Sequence, residues 1–200
     1  MNRILYHGYT NFNLQISELE GGSLRNAIPR ESFSNIVIDE TLEVSFLSEI
    51  NSLIKIIKTE FKTIEPNLSV DIHSIKIPKK VMPIEVQEKF IKSVYSAING
   101  VYRMSSDIPD LVETSNNIAR VIAKNGKITI ACLTRSSSES SKKDVANSLR
   151  SCFELSGCKV EFSGSYPGWQ PNMNSEILKI VSSLYKKLSR FNLFCWALEI

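Results

Sequence analysis

The stretch Ile118-Ala119-Arg120-Val121-Ile122-Ala123-Lys124-Asn125-Gly126-Lys127-Ile128-Thr129-Ile130-Ala131-Cys132-Leu133-Thr134-Arg135 decides how this chain folds. Two strand-like runs, Ile118 to Lys124 and Lys127 to Arg135, flank Asn125-Gly126. That dipeptide is the strongest short hairpin signal, because a type I′ turn needs positive φ at both central residues. Downstream, Ser138 to Ser141 can cap a helix on which Val145, Leu149, Cys152 and Phe153 form one apolar stripe. Gly157 stands at its C′ position, where a left-handed residue ends a helix, and Lys159 to Ser163 returns as a strand. This half reads ββαβ.

The first half repeats the order. Phe12, Leu14 and Ile16 alternate with Asn13, Gln15 and Ser17, a period of two that predicts a half-buried strand, and Phe33 to Asp39 predicts a second. Between Glu43 and Ile64 the apolar positions Leu47, Ile50, Ile54, Ile57, Phe61 and Ile64 step by three and four, as an amphipathic helix requires. Pro66-Asn67 ends it, and Leu68, Val70 and Ile72 alternate as another strand. A helix near Pro83 to Ile98, with Phe90, Ile91, Val94 and Ile98 on one face, separates the halves. The expected fold is α+β: a two-layer sandwich of two ββαβ (ferredoxin-like) repeats, with helices on one face of a mainly antiparallel sheet. A C-terminal helix starts at Asn174-Ser175-Glu176 and carries Ile177, Ile180, Val181, Leu184 and Leu188 on one side. It either packs back on the sandwich or covers a partner.

Composition narrows the function classes. A net charge of +3 from 24 basic and 21 acidic residues spread along the chain predicts no nucleic-acid footprint and no membrane-binding patch. Lys79-Lys80, Lys142-Lys143 and Lys186-Lys187 read as solvated faces. The strands lack the paired aromatics of a single-stranded RNA binder. Four cysteines without C-x-x-C pairing, no apolar leader and no apolar run near the roughly 20 residues of a membrane span predict a soluble, cytoplasmic protein with reduced thiols.

Two segments are too irregular for helix or strand interior: Gly21-Gly22-Ser23-Leu24-Arg25-Asn26-Ala27-Ile28-Pro29-Arg30-Glu31 and Ser165-Tyr166-Pro167-Gly168-Trp169-Gln170-Pro171. The Gly-Gly pair permits positive φ and close backbone approach, while Pro29 and Pro167 fix φ and extend the residue before each. Asn26, flanked by Arg25 and Arg30, either satisfies loop backbone groups or faces a ligand. Arg135 emerges at a strand end beside Ser136-Ser137-Ser138, where it forms either a surface ion pair or a bidentate grip on a carboxylate. The serines read as helix caps.

Metal hydrolysis needs several converging ligands, and the chain has two histidines. Asp71 and His73 share a face of the expected strand as a possible metal pair or as surface residues, and His7 is expected near the N-terminus with no acidic neighbour. No G-x-S-x-G, H-E-x-x-H, Walker-type or dinucleotide motif occurs. No catalytic residue and no metal ligand is assigned.

The two loops, together with Met1-Asn2-Arg3-Ile4-Leu5, Pro109-Asp110-Leu111-Val112-Glu113-Thr114-Ser115-Asn116-Asn117 and Cys132-Leu133-Thr134-Arg135-Ser136-Ser137, resemble segments of the aminoacyl-histidine dipeptidase family, also called peptidase D or cytosol non-specific dipeptidase. These are co-catalytic zinc metallopeptidases. In such enzymes a catalytic domain binds two zinc ions, and an inserted lid closes over the dipeptide and supports dimerisation. The resemblance implies that residues 1–165 are most of a lid and dimerisation domain, and that 166–200 are a stub of the returning catalytic domain. It assigns Asn26 and Arg135 to substrate binding, with Arg135 gripping the C-terminal carboxylate of an Xaa-His or other dipeptide. Metal ligands and general base are expected outside 1–200. The family's His-Ala-Gly-Leu-Glu-Cys-Gly segment is replaced by Cys195-Trp196-Ala197-Leu198-Glu199-Ile200, so a truncation or a reading-frame break is expected. Alone, the chain should bind no zinc and be inactive, needing the missing catalytic domain, and a homodimer is expected. The alternative is a non-catalytic interaction or dimerisation module derived from that family.

Overall fold

The computed structural model describes residues 1–169 and 172–189; Gln170, Pro171 and the Cys195–Ile200 segment lie outside the described residues. The chain forms two compact units: Met1–Ala97, Asn117–Leu133 and Arg150–Val160 make the first, and Ile98–Asn116, Thr134–Leu149 and Glu161–Ile200 the second.

The first unit holds α1 (Asn2–Phe12), β1 (Gln15–Gly21), β2 (Ser32–Val37), α2 (Glu43–Glu60) and α3 (Ile84–Ser96), with parts of β4 (Val112–Lys124), β5 (Lys127–Ser136) and α4 (Glu139–Leu155). β1 pairs antiparallel with β2, from Gln15 opposite Val37 to Gly21 opposite Ser32, and with β4 through Leu19 opposite Ala123. β4 and β5 pair, and Asn125 and Gly126 between them have φ of 54° and 74°, as the hairpin reading required. The core gathers Leu5, Phe12, Ile16, Phe46, Ile50 and Ile91, with the Phe12 and Phe46 rings edge to face at 5.4 Å. Each such side chain contributes about 1.5–3 kcal/mol through burial. The apolar positions Ile50 and Ile54 of α2 and Phe90 and Ile91 of α3 face it, as their spacing predicted.

The second unit contains β3 (Gly100–Met104), the opening of β4, the end of β5, the first three turns of α4 and α5 (Glu176–Ser189). β3 pairs antiparallel with β4, Gly100 opposite Asn116 and Met104 opposite Val112. The Ser138 Oγ accepts from the Ser141 N–H at 3.4 Å at the start of α4, and the Ser175 Oγ accepts from the Leu178 N–H at 3.3 Å at the start of α5. The apolar residues Ile177, Ile180, Leu184 and Leu188 of α5 are exposed. The α+β class with an antiparallel sheet is thus as expected.

Four expectations are corrected. The first strand does not begin at Phe12, which closes α1 instead. Asn13 takes a left-handed φ of 50° as its C-cap and turns the chain into β1, while the bare Cα of Gly8 makes room for Leu14. No strand forms at 68–72. The edge of β1 not reached by β4 is satisfied otherwise: the Met82 N–H donates to the Ile16 carbonyl at 2.6 Å, and the Ser17 hydroxyl to the Lys80 carbonyl at 2.8 Å. No strand is formed at 159–163 either, where Phe162 is exposed, so the alternating side lacks a buried face. Finally, β4 starts six residues before Ile118, and β3 was not anticipated, because Thr114 and Asn116 on its partner are polar and give no apolar alternation.

Candidate functional site

In the first unit, the loop after β1 is shaped by backbone contacts. The Gly22 N–H donates to the Glu31 carbonyl at 3.1 Å, closing the loop at its neck. Gly22 has φ of 72°, and a Cβ there would be driven into the Ala119 carbonyl of β4, 2.9 Å from its carbon. Only glycine fits. At the tip, the Ala27 N–H donates to the Leu24 carbonyl at 3.2 Å, so Arg25 and Asn26 are the central residues of a turn. The Asn117 side-chain amide of β4 donates to the Ala27 carbonyl at 2.8 Å and ties that tip down. Asn26 itself is exposed. Loop backbone is thus satisfied by Asn117, a residue to which sequence alone assigns no role.

In the second unit, Arg135 is the penultimate residue of β5 and half-buried. Its neighbours set its direction. The Thr134 hydroxyl donates to the Asn116 Oδ1 at 2.9 Å, and the Asn116 amide donates to the Ile98 carbonyl at 2.6 Å. The Ser136 and Thr114 hydroxyls lie 2.8 Å apart, and Thr114 reaches the Ser141 hydroxyl of α4 at 2.8 Å. Thr134 and Ser136 therefore share the face under α4, and the two-residue period of a strand turns Arg135 to the other. Thr114, Asn116, Ser136 and Ser141 are buried. Sequence reasoning missed this hydroxyl network; its signal, T-x-N on one strand opposite T-x-S on the next, looks within each strand like ordinary solvent-facing residues.

Over the end of β5 lies the second loop. A Cβ on Gly168 would meet the Ser136 carbonyl oxygen at 2.5 Å and that of Ser137 at 2.8 Å. Lys142 of α4 donates to the Tyr166 carbonyl and pairs with Glu139 at 2.7 Å. The hydrogen bond from Lys142 is the main reason the Glu139 carboxyl is held below the usual carboxylate range, against partial desolvation; the Lys142 charge and the nearby Gly168 backbone lower it further.

The other candidates do not form a centre. His7 does have an acidic neighbour in space, Glu49, whose Oε2 is 3.0 Å from its Nε2. Asp71 and His73 are exposed on a segment that is not a strand, which removes the shared face they were read on. Among the described residues no three His, Cys, Asp or Glu side chains could hold a metal ion together, so the donor set here does not fit a two-zinc site. No helix among the described residues is long and apolar enough to cross a membrane.

No protein-family model matches the chain. It is 35% identical over 176 residues to the cytosol non-specific dipeptidase of Escherichia coli (strain K12), covering 88% of this chain and 36% of that protein. Its structure is similar to the crystal structure of aminoacylhistidine dipeptidase from Vibrio alginolyticus, with a TM-score of 0.92 and 34% identity over 96% of this chain and 39% of that one. The chain spans less than two-fifths of the length of these relatives. Both comparisons uphold the resemblance drawn from the sequence.

Proposed function

We propose, from the homology of this chain to part of the dipeptidases of the peptidase D family, that it supplies the substrate-binding lid of a cytoplasmic zinc metallo-dipeptidase acting on Xaa-His and other dipeptides. Residues 1–165 form the lid in this reading, and 166–200 lead into the metal-bearing catalytic domain. The observation that supports it is the position of Arg135: a half-buried residue at a strand end, set by alternation on the face opposite the Thr114–Ser136–Ser141 and Thr134–Asn116 hydrogen bonds. An arginine so placed can hold a substrate carboxylate by two parallel charge-assisted hydrogen bonds. A carboxylate anchor at a fixed distance from the reacting centre also limits the length of peptide accepted. Asn26, on the braced turn of the first unit, is the second substrate contact. No hydrolytic step is assigned to residues of this chain.

Two outcomes are expected. The purified 200-residue chain binds no stoichiometric zinc by elemental analysis and leaves β-alanyl-histidine intact; chelator-sensitive turnover would overturn this. In a complete family enzyme bearing the same Cys-Leu-Thr-Arg-Ser segment, lysine at the position of Arg135 raises KM by about ten- to a hundredfold, because an ammonium cannot reproduce the bidentate grip. An unchanged KM would remove the anchor.

A second reading, a non-catalytic dimerisation module, draws on β3, which is exposed along its whole length and offers a strand edge to another chain. A homodimer fits either reading. Calorimetry with a dipeptide separates them, since only the lid reading expects heat that Arg135→Lys abolishes.

A further inference from the structure

We propose that Tyr166–Trp169 is a strap docked on the end of β5, and that Gly168 is the residue through which it positions the Arg135 guanidinium; the functional weight of this rests on the carboxylate-anchor reading of Arg135. The strap lies where any side chain on Gly168 would collide with the Ser136 and Ser137 carbonyls, at 2.5 and 2.8 Å, the two residues that follow Arg135. The backbone itself is the contact surface. A polar tie lies beside that contact: Lys142 donates to the Tyr166 carbonyl and is itself paired with Glu139 at 2.7 Å. From below, the same strand end is held by the Ser136–Thr114 hydroxyl pair and by the Ser137 N–H, which donates to the Glu113 carbonyl at 3.1 Å.

Strand ends fray unless tied, and an arginine one residue from such an end inherits the motion. An anchor that selects by distance needs a fixed Cα, and here the strap adds a backbone contact at Ser136 and Ser137 to the hydroxyl contacts of the same strand end. Gly168 does not touch substrate in this scheme. It acts through the backbone of Ser136 and Ser137.

The test uses the whole 15N-labelled chain and reads two signals: hydrogen exchange of the residue-168 amide, and relaxation of the Arg135 Nε–H. In Gly168→Ala the amide is expected to exchange about tenfold faster or more, and the Arg135 Nε–H to lose order, while the amides around Val145 and Leu149 keep their protection. Lys142→Met, which inserts no bulk, should move both signals the same way by less, and it decides the matter alone if Gly168→Ala unfolds the unit. Unchanged exchange in both variants would show that the strap is not docked. A released strap with wild-type Arg135 relaxation would show that it positions nothing. If the strap positions Arg135 but a dipeptide titration is unaffected by Arg135→Lys, the inference stands and the carboxylate reading fails.

Discussion

Gly22→Ala is expected to lower the stability of the chain by about 3 kcal/mol or more, read as a fall in the urea midpoint at unchanged slope. Two separate costs combine. The φ of 72° is a left-handed conformation that costs an L-residue about 1–2 kcal/mol. The added methyl must also displace the Ala119 backbone of β4, which is part of a sheet and has little freedom to yield. The loop after β1 loses its neck, so the variant should also expose the Asn26 turn to protease. A midpoint within experimental error of wild type would mean that the loop is not seated against β4, and the braced-turn account of Asn26 would go with it.

The largest loss is expected from Gln87→Leu. Gln87 lies on α3, is fully buried, and its side-chain amide donates to the Leu14 carbonyl at 2.7 Å while its carbonyl oxygen accepts from the Ile16 N–H at 2.6 Å. It serves one end of β1 as a neighbouring strand would. Leucine fills the volume and strands both backbone groups away from water, at about 1–3 kcal/mol each, so a total of about 2–6 kcal/mol. Gln87→Glu separates hydrogen bonding from volume. The buried carboxyl is held neutral in the folded state, its folded pKa is raised, and stability falls as pH rises above the unfolded value of about 4.3. Denaturation midpoints for Gln87→Leu equal to wild type would refute the bridging role.

Much of the fold was legible because its signals are local. The Asn125-Gly126 hairpin, the α2 and α3 periodicities and the Ser138 and Ser175 caps each occupy a few consecutive residues whose own dihedral and capping preferences agree with the structure. α1 was equally local, with Leu5, Gly8 and Phe12 at helical spacing before a left-handed Asn13, but the alternation of Phe12, Leu14 and Ile16 competed with it. The 68–72 strand failed for the opposite reason. Its alternation is real, but Leu68 and Val70 are only partly buried and Ile72 is exposed, so the run has no continuous buried face, and the end of β1 is bonded instead by Gln87, Lys80 and Met82.

The sequence by itself determined the Asn125-Gly126 hairpin, the helices α2 to α5 and the two irregular loops, and it singled out Asn26 and Arg135 as polar residues at the edges of regular structure. Tertiary structure alone decided what holds those edges. Asn117 reaches Ala27 from 90 positions away, Gln87 reaches Leu14 from 73, and Gly168 meets Ser136 only once the chain has folded back on β5. A hydrogen bond or a steric contact is a property of two places in space, and residues this far apart leave no periodicity in the chain between them from which the pairing could be read.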